Sequence, residues 1–152
     1  MHQEYLKEAI RLSQESVNVG GYPVGAVVVI DGKIVGRGLS DGKQNMDATS
    51  HAEIAALRDA SKNLQKRDLV GAIVYSSLEP CIMCLSACYW AKVTTIVYAC
   101  SKKRVSIKNF EGTHSLEEIN KQNRPPLTIV HEISFEEDAL KIFNKWEVNR
   151  KK

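Results

Sequence analysis

One histidine, one glutamate and two cysteines carry the chemistry in this chain. His51-Ala52-Glu53 is followed by Pro80-Cys81-Ile82-Met83-Cys84. An imidazole and two thiols make three zinc ligands, whereas a structural zinc site usually closes with four. Three ligands leave a position for water, and Glu53 is a carboxylate placed beside it. The chemistry is then hydrolytic. A bound zinc lowers the pKa of water from 15.7 toward about 7. Glu53 takes the water proton and passes it on toward the group that leaves.

Each residue alone has a plainer use. Cys-x-x-Cys could be a redox pair or half of a structural zinc site, though the chain has no second such pair. Ser50-x-x-Glu53 has the form of a capping box, so capping and catalysis compete for one carboxylate. A lone His at a helix start is usually a surface residue. The order of all four, each before an apolar helix, favours the hydrolytic site. Cys81 and Cys84 are three apart, which on a helix puts both thiols on one face. They fall in its first turn, where the helix dipole and free N–H groups favour thiolates. Pro80 costs nothing there, because N-terminal N–H groups have no intrahelical partner. Zn²⁺ with two thiolates and a neutral imidazole is formally uncharged, so two helix N-termini can converge on it.

The elements that must position these residues are legible in the patterning. Tyr5, Leu6, Ala9, Ile10, Leu12 and Val17 follow helical spacing, and Gly20-Gly21 stops that helix. Ala26 to Ile30 reads as a buried strand, Asp31-Gly32 as a hairpin turn and Lys33 to Gly38 as the return strand. A polar loop follows from Leu39 to about Thr49. A second helix begins near Ser50 or His51. Val70 to Tyr75 is expected as a third strand, Ser76 to Pro80 as a sharp turn, and Cys81 to Ala91 as a third helix. Thr95 to Ala99 is a fourth strand. Cys100 to Pro126 is irregular, with a short helix over Ser115 to Asn120. Leu127 to Ile133 is a fifth strand, and Ser134-Phe135-Glu136-Glu137 fits a capping box opening a last helix that ends near Val148. A hairpin followed by strand–helix alternation predicts an α/β fold, a three-layer α/β/α sandwich around a five-stranded mixed sheet.

The 152 residues are expected to form a single domain, able to bury roughly 70% of the unfolded surface and needing no disulfide staples. The 43% hydrophobic and 26% charged fractions are ordinary for a soluble globule. No apolar run approaches the ~20 residues of a membrane span, and the N-terminus lacks a signal-peptide core. A cytoplasmic address is expected. The net charge of +3, with clusters Lys102-Lys103-Arg104 and Arg150-Lys151-Lys152, reads as solvated surface. Neither a nucleic-acid nor a membrane partner is expected. Cys88 and Cys100 read as buried free thiols.

The His-x-Glu … Pro-Cys-x-x-Cys order is that of zinc-dependent nucleobase deaminases. The chain resembles the cytidine deaminase superfamily over roughly residues 5 to 148, with the small bacterial guanine deaminases nearest. The resemblance implies one zinc per chain on His51, Cys81 and Cys84, with Glu53 as the catalytic acid–base. It implies a small amino-heterocycle as substrate, first guanine giving xanthine and ammonia. Cytosine or another pyrimidine or heterocycle comes next, then a tRNA adenosine, and last a non-catalytic zinc-stabilised module. Base contacts are implied for Val24 and Ala52, for Glu79 before the Pro-Cys motif and for Trp90, an aromatic ending the metal helix. Gly25 would permit close backbone approach beside the base, or make a helix-to-strand turn. Relatives carry Asn eleven residues before the zinc His; here that position is Ser40, and Asn45 could compensate only if the loop is rebuilt. Asn109-Phe110-Glu111-Gly112 keeps one acid, Glu111, of a pair found in the guanine group. A C-terminal Tyr of that group is missing. The resemblance also implies a homodimer, in which the C-terminal segment could be exchanged about Arg124-Pro125-Pro126.

Overall fold

The computed structural model describes residues 2–151, so Lys152 of the C-terminal basic cluster lies outside the described residues. The order is α1 (Gln3–Asn18), β1 (Tyr22–Ile30), β2 (Lys33–Ser40), α2 (Gly42–Asn45), α3 (Ala52–Leu64), β3 (Ile73–Leu78), α4 (Ile82–Trp90), β4 (Thr95–Cys100), α5 (Leu116–Asn120), β5 (Thr128–His131) and α6 (Glu136–Arg150). Three 3₁₀ turns lie at Lys102–Arg104, Ile107–Asn109 and Ile133–Phe135. The sheet order is β2-β1-β3-β4-β5. β1 is antiparallel to β2 and β3; β4 is parallel to β3 and β5. Among the described residues, no helix is long and apolar enough to cross a membrane.

The hairpin forms as its sequence dictates. Asp31 and Gly32 take φ of 50° and 74°, the positive pair that a two-residue turn matched to strand twist requires. Alternate residues of the central strands then feed two cores. Val27, Val29, Tyr75 and Val97 meet α1 and α6, including Leu6, Leu12, Leu140 and Phe143. Ala26, Val28, Val74 and Ile96 meet α3 and α4, including Ala56, Ala60, Leu85 and Cys88. A strand buried on both faces reads as the continuous apolar run that β1 shows. This is the three-layer sandwich with five mixed strands.

Glycines set how closely the helices approach. A Cβ on Gly25 would lie 2.3 Å from the Ala9 carbonyl of α1, so this glycine lets a helix backbone rest on β1. It lies within the strand and not in the helix-to-strand turn. On the opposite face, a Cβ on Gly36 would lie 2.4 Å from the Ala56 carbonyl, and one on Gly38 2.1 Å from the Ala52 carbonyl. The helix that opens at His51 therefore sits directly on β2.

Several boundaries depart from the patterning: β1 begins at Tyr22 rather than Ala26, and β5 covers Thr128–His131 rather than Leu127 to Ile133. β3 runs over Ile73–Leu78 rather than Val70 to Tyr75. Gly71 has φ 81° and Ala72 N–H donates to the Leu69 carbonyl, so this segment is a turn and leaves Val70 71% exposed. Ser76 and Ser77 consequently lie in the strand, not in the turn after it. The polar loop is shorter than expected, since β2 continues to Ser40 and α2 adds one helical turn. The capping box at Ser134 does not form. A 3₁₀ turn precedes α6, Phe135 is its N-cap without a side-chain bond, and the Ser134 hydroxyl donates to Glu132 instead.

Candidate active site

Two helix starts and one strand end meet at the site. His51 is the N-cap of α3 and Cys81 the N-cap of α4; both backbones are extended there and neither side chain caps its helix. Ser, Thr, Asp or Asn would cap better, so both positions forgo local stability and keep their side chains free. Those side chains converge. His51 Nδ1 lies 3.5 Å from Cys81 Sγ and 3.6 Å from Cys84 Sγ, and the three donor atoms lie within 4.8 Å of one another. A tetrahedron with zinc bonds of 2.0–2.3 Å has N···S edges of about 3.5 Å. The donor set fits one zinc ion, and among the described residues no fourth protein ligand joins it.

The electrostatics suit that ion. A hydrogen bond from Cys84, opposed by burial and helped by His51, brings the Cys81 thiol down to about 5. The same bond and burial push Cys84 well above the usual thiol range. The hydrogen bond to Cys81 raises His51. In the metal-free protein Cys81 is thus the more readily ionised of the two thiols.

Glu53 does not cap its helix. Ser50, its expected partner, donates its hydroxyl to Asp41. Glu53 is 4% exposed; its Oε1 accepts from Ser76 Oγ at 2.9 Å, and its Oε2 lies 3.3 Å from Cys84 Sγ. Burial, then the charge on Cys81, raises its pKa, which makes the carboxylate a stronger proton acceptor. The rival capping use of this carboxylate is therefore set aside by geometry.

A cavity of about 440 Å³ opens above these groups. Of the residues with implied base contacts, Val24, Ser40, Ala52 and Glu79 line it. Glu79 is partly occupied: its Oε2 accepts from the Ser101 hydroxyl and the Lys102 N–H. Glu111 is not among the lining residues, and its carboxylate accepts from the Ile82 N–H at the start of α4. Trp90 is not among the residues lining this cavity. It is 66% exposed and lines a separate concavity with Val70 and Arg124. Nine residues separate it from Cys81, and at 1.5 Å per residue α4 carries it about 13 Å from the metal end. Asn45 does not line the cavity either.

The wall also holds residues the patterning did not single out. Tyr22, Phe110 and Phe143 supply aromatic surface, while Lys43, Lys108 and Arg150 bring positive charge. Phe110 stood next to Glu111 in a segment already marked, so it was within reach. Phe143 and Arg150 lie on α6, whose apolar face announces burial but not what it is buried against. Ser76 had no signal beyond being a hydroxyl in a strand.

Known proteins are similar to this chain in sequence and fold. Residues 1–100 match the family described as the cytidine and deoxycytidylate deaminase zinc-binding region. Guanine deaminase of Bacillus subtilis (strain 168) is 36% identical over 146 residues, 95% of this chain and 93% of that protein. Its X-ray structure superposes with a TM-score of 0.71, covering 97% of this chain and 94% of that one. A tRNA-specific adenosine deaminase of Buchnera aphidicola is 40% identical over 101 residues, 66% of this chain and 62% of that protein. Guanine deaminase from Nitrosomonas europaea, at 20% identity and a TM-score of 0.83, shares the fold over 95% of this chain and 83% of that one.

Proposed function

This chain belongs to the cytidine and deoxycytidylate deaminase family, and from that premise we propose that it is a hydrolytic deaminase of a free amino-purine, with guanine the first substrate and xanthine and ammonia the products. The whole chain acts as one catalytic domain. His51, Cys81 and Cys84 hold one zinc ion, whose contribution is to acidify the water that attacks. The remaining work falls to side chains. Glu53, buried and raised in pKa, accepts the water proton through Oε2, the oxygen on the Cys84 side. It delivers that proton to a ring nitrogen of the base. The new C–O bond forms at the amino-bearing carbon; the second water proton then passes through Glu53 to the amine, and the C–N bond breaks to release ammonia. Val24, Ala52 and Phe110 supply surface against the ring, and the Ser40 hydroxyl is available to a polar edge of the base.

The observation that carries this proposal is a three-donor cluster with a buried carboxylate 3.3 Å from one donor, at the floor of a cavity of about 440 Å³. Guanine is placed first because the likeness to the Bacillus enzyme extends over 95% of the chain, against 66% for the Buchnera tRNA enzyme. The test is ammonia release by the zinc-loaded protein from guanine, guanosine, cytosine, cytidine, adenine and adenosine. Glu53→Ala should lower the rate by at least ~10²–10⁴. Silence on all six, with zinc bound, would refute the guanine assignment and favour a tRNA substrate.

The working unit is proposed as a homodimer, in one form with C-terminal segments exchanged. Since α6 brings Phe143 and Arg150 to the cavity, exchange would supply them from the second copy. Sedimentation of the zinc-loaded protein tests this; a monomer at working concentration refutes it. Four free cysteines suit a reducing compartment, in line with a cytoplasmic location.

A further inference from the structure

Ser76 is fully buried in β3, the middle strand of the sheet, where its neighbours across the ladder are Ala26 and Tyr98. A hydroxyl at such a position costs stability unless it is bonded, and an apolar residue would suit the run Ile73–Leu78 better. The Ser76 hydroxyl makes one hydrogen bond, to Glu53 Oε1 at 2.9 Å. Among the described residues, only two side chains donate to the Glu53 carboxylate: Ser76 and the Cys84 thiol. Cys84 is also one of the three metal donors. A thiol that binds a metal does so as thiolate and has no proton left to donate. Loading the site therefore leaves Ser76 as the sole side-chain donor to a carboxylate that is 4% exposed.

We propose that Ser76 is the positioning residue for Glu53. It holds Oε1 against the sheet so that Oε2 faces the metal donors and the attacking water. This inference rests on the deaminase assignment for its kinetic consequence, but its structural consequence stands apart. The backbone of β3 is fixed by ladders on both sides, so the hydroxyl is an anchor that does not move with α3. Its neighbour Ser77 has a different partner, accepting from the Gly25 N–H on the opposite face, so it cannot substitute.

The experiment compares the zinc-loaded wild type with Ser76→Ala and Ser76→Thr. For Ser76→Ala, kcat should fall roughly 10- to 100-fold, the scale of one hydrogen bond to a charged group. KM should stay within about twofold, because Ser76 does not line the cavity and an interaction used only in the transition state lowers kcat and kcat/KM together. Zinc content should remain one per chain. Ser76→Thr keeps the hydroxyl and should recover most of kcat. A crystal structure of zinc-loaded Ser76→Ala should show the Glu53 carboxylate rotated or in two conformers. An unmoved carboxylate, an unchanged kcat, or a Thr variant as slow as Ala would overturn the proposal. If the wild type turns over no substrate, the deaminase assignment fails, and the Glu53 conformer alone then decides the role of Ser76.

Discussion

Replacing Gly38 by Ala should damage the metal site from a position that makes no contact with it. The added Cβ would lie 2.1 Å from the Ala52 carbonyl oxygen and 2.4 Å from the Ala56 amide nitrogen. Both obstacles are backbone, so no side chain can swing away. Restoring the closer contact to 3.4 Å, where ordinary contact begins, needs α3 to retreat from β2 by about 1.3 Å. Overpacking of a well-filled interior costs about 1–3 kcal/mol, occasionally more, and a double backbone clash belongs at the upper end. Taking about 3 kcal/mol, the midpoint of thermal unfolding should fall by roughly 6–12 °C in a chain of this size. The functional effect follows from what α3 carries: His51 is its N-cap and Glu53 lies in its first turn. The Cys81 and Cys84 sulfurs ride on α4, which does not pack on Gly38. A retreat of that size separates the imidazole from the thiols, and misplacement of about 1 Å at a reacting centre can cost 10²-fold in rate. The assay is zinc affinity by competition with a chromogenic chelator, with unfolding midpoint and kcat on the same samples. Gly71→Ala is the control: nothing lies within 4 Å of its Cβ, so its φ of 81° costs stability without moving α3. A Gly38→Ala chain that keeps wild-type zinc affinity and kcat would refute the link between this packing and the site.

Other outcomes follow from the same geometry. In the metal-free protein, Cys81 should alkylate with iodoacetamide well before Cys84, Cys88 and Cys100; peptide mapping should show the Cys81 rate falling only below about pH 5, and zinc should protect it. Glu136 is pushed up by burial, but the Ser101 N–H, Arg104 and His131 outweigh that and hold it below the usual Glu range. Its contribution to stability is therefore complete above the unfolded value near 4.5 and is lost as pH falls through the folded one. Denaturant titrations should show Glu136→Gln less stable than wild type at pH 7, with the gap closing in acid; a gap constant down to pH 2 would contradict this. Trp90→Ala should leave KM for guanine within about twofold, since α4 carries the ring ~13 Å from the metal end; a tenfold rise would return Trp90 to the cavity.

Short-range chemistry was legible in the sequence. Cys81 and Cys84 share the start of one helix, as do His51 and Glu53, and spacing alone dictates each pair; that the two pairs meet was anticipated only from the motif's resemblance to a known family. The β1–β2 hairpin was equally plain, because a two-residue Asp-Gly turn fixes register locally. The mixed sheet followed from the order of elements. What depends on partners distant in the chain was not legible. The strand expected to end at Tyr75 runs to Leu78, because Gly71 turns the chain and the buried ladder to β4 decides the register. That shift puts Ser76 in the strand and under Glu53, 23 residues away. Glu53 itself had two uses by sequence, capping and catalysis, and only the capture of Ser50 by Asp41 and of Glu53 by Ser76 separates them. The cavity wall is more remote still: Phe143 reaches it from a helix whose own patterning records an apolar face and nothing of what it meets. Trp90 shows the converse. Sequence placed it on the metal helix correctly, but a helix has two ends, and the packing of α4 against the sheet decided which end faces the cavity. Local spacing determines which residues can act together within one element; the sheet order and the close contacts at Gly25, Gly36 and Gly38 determine which elements share a site.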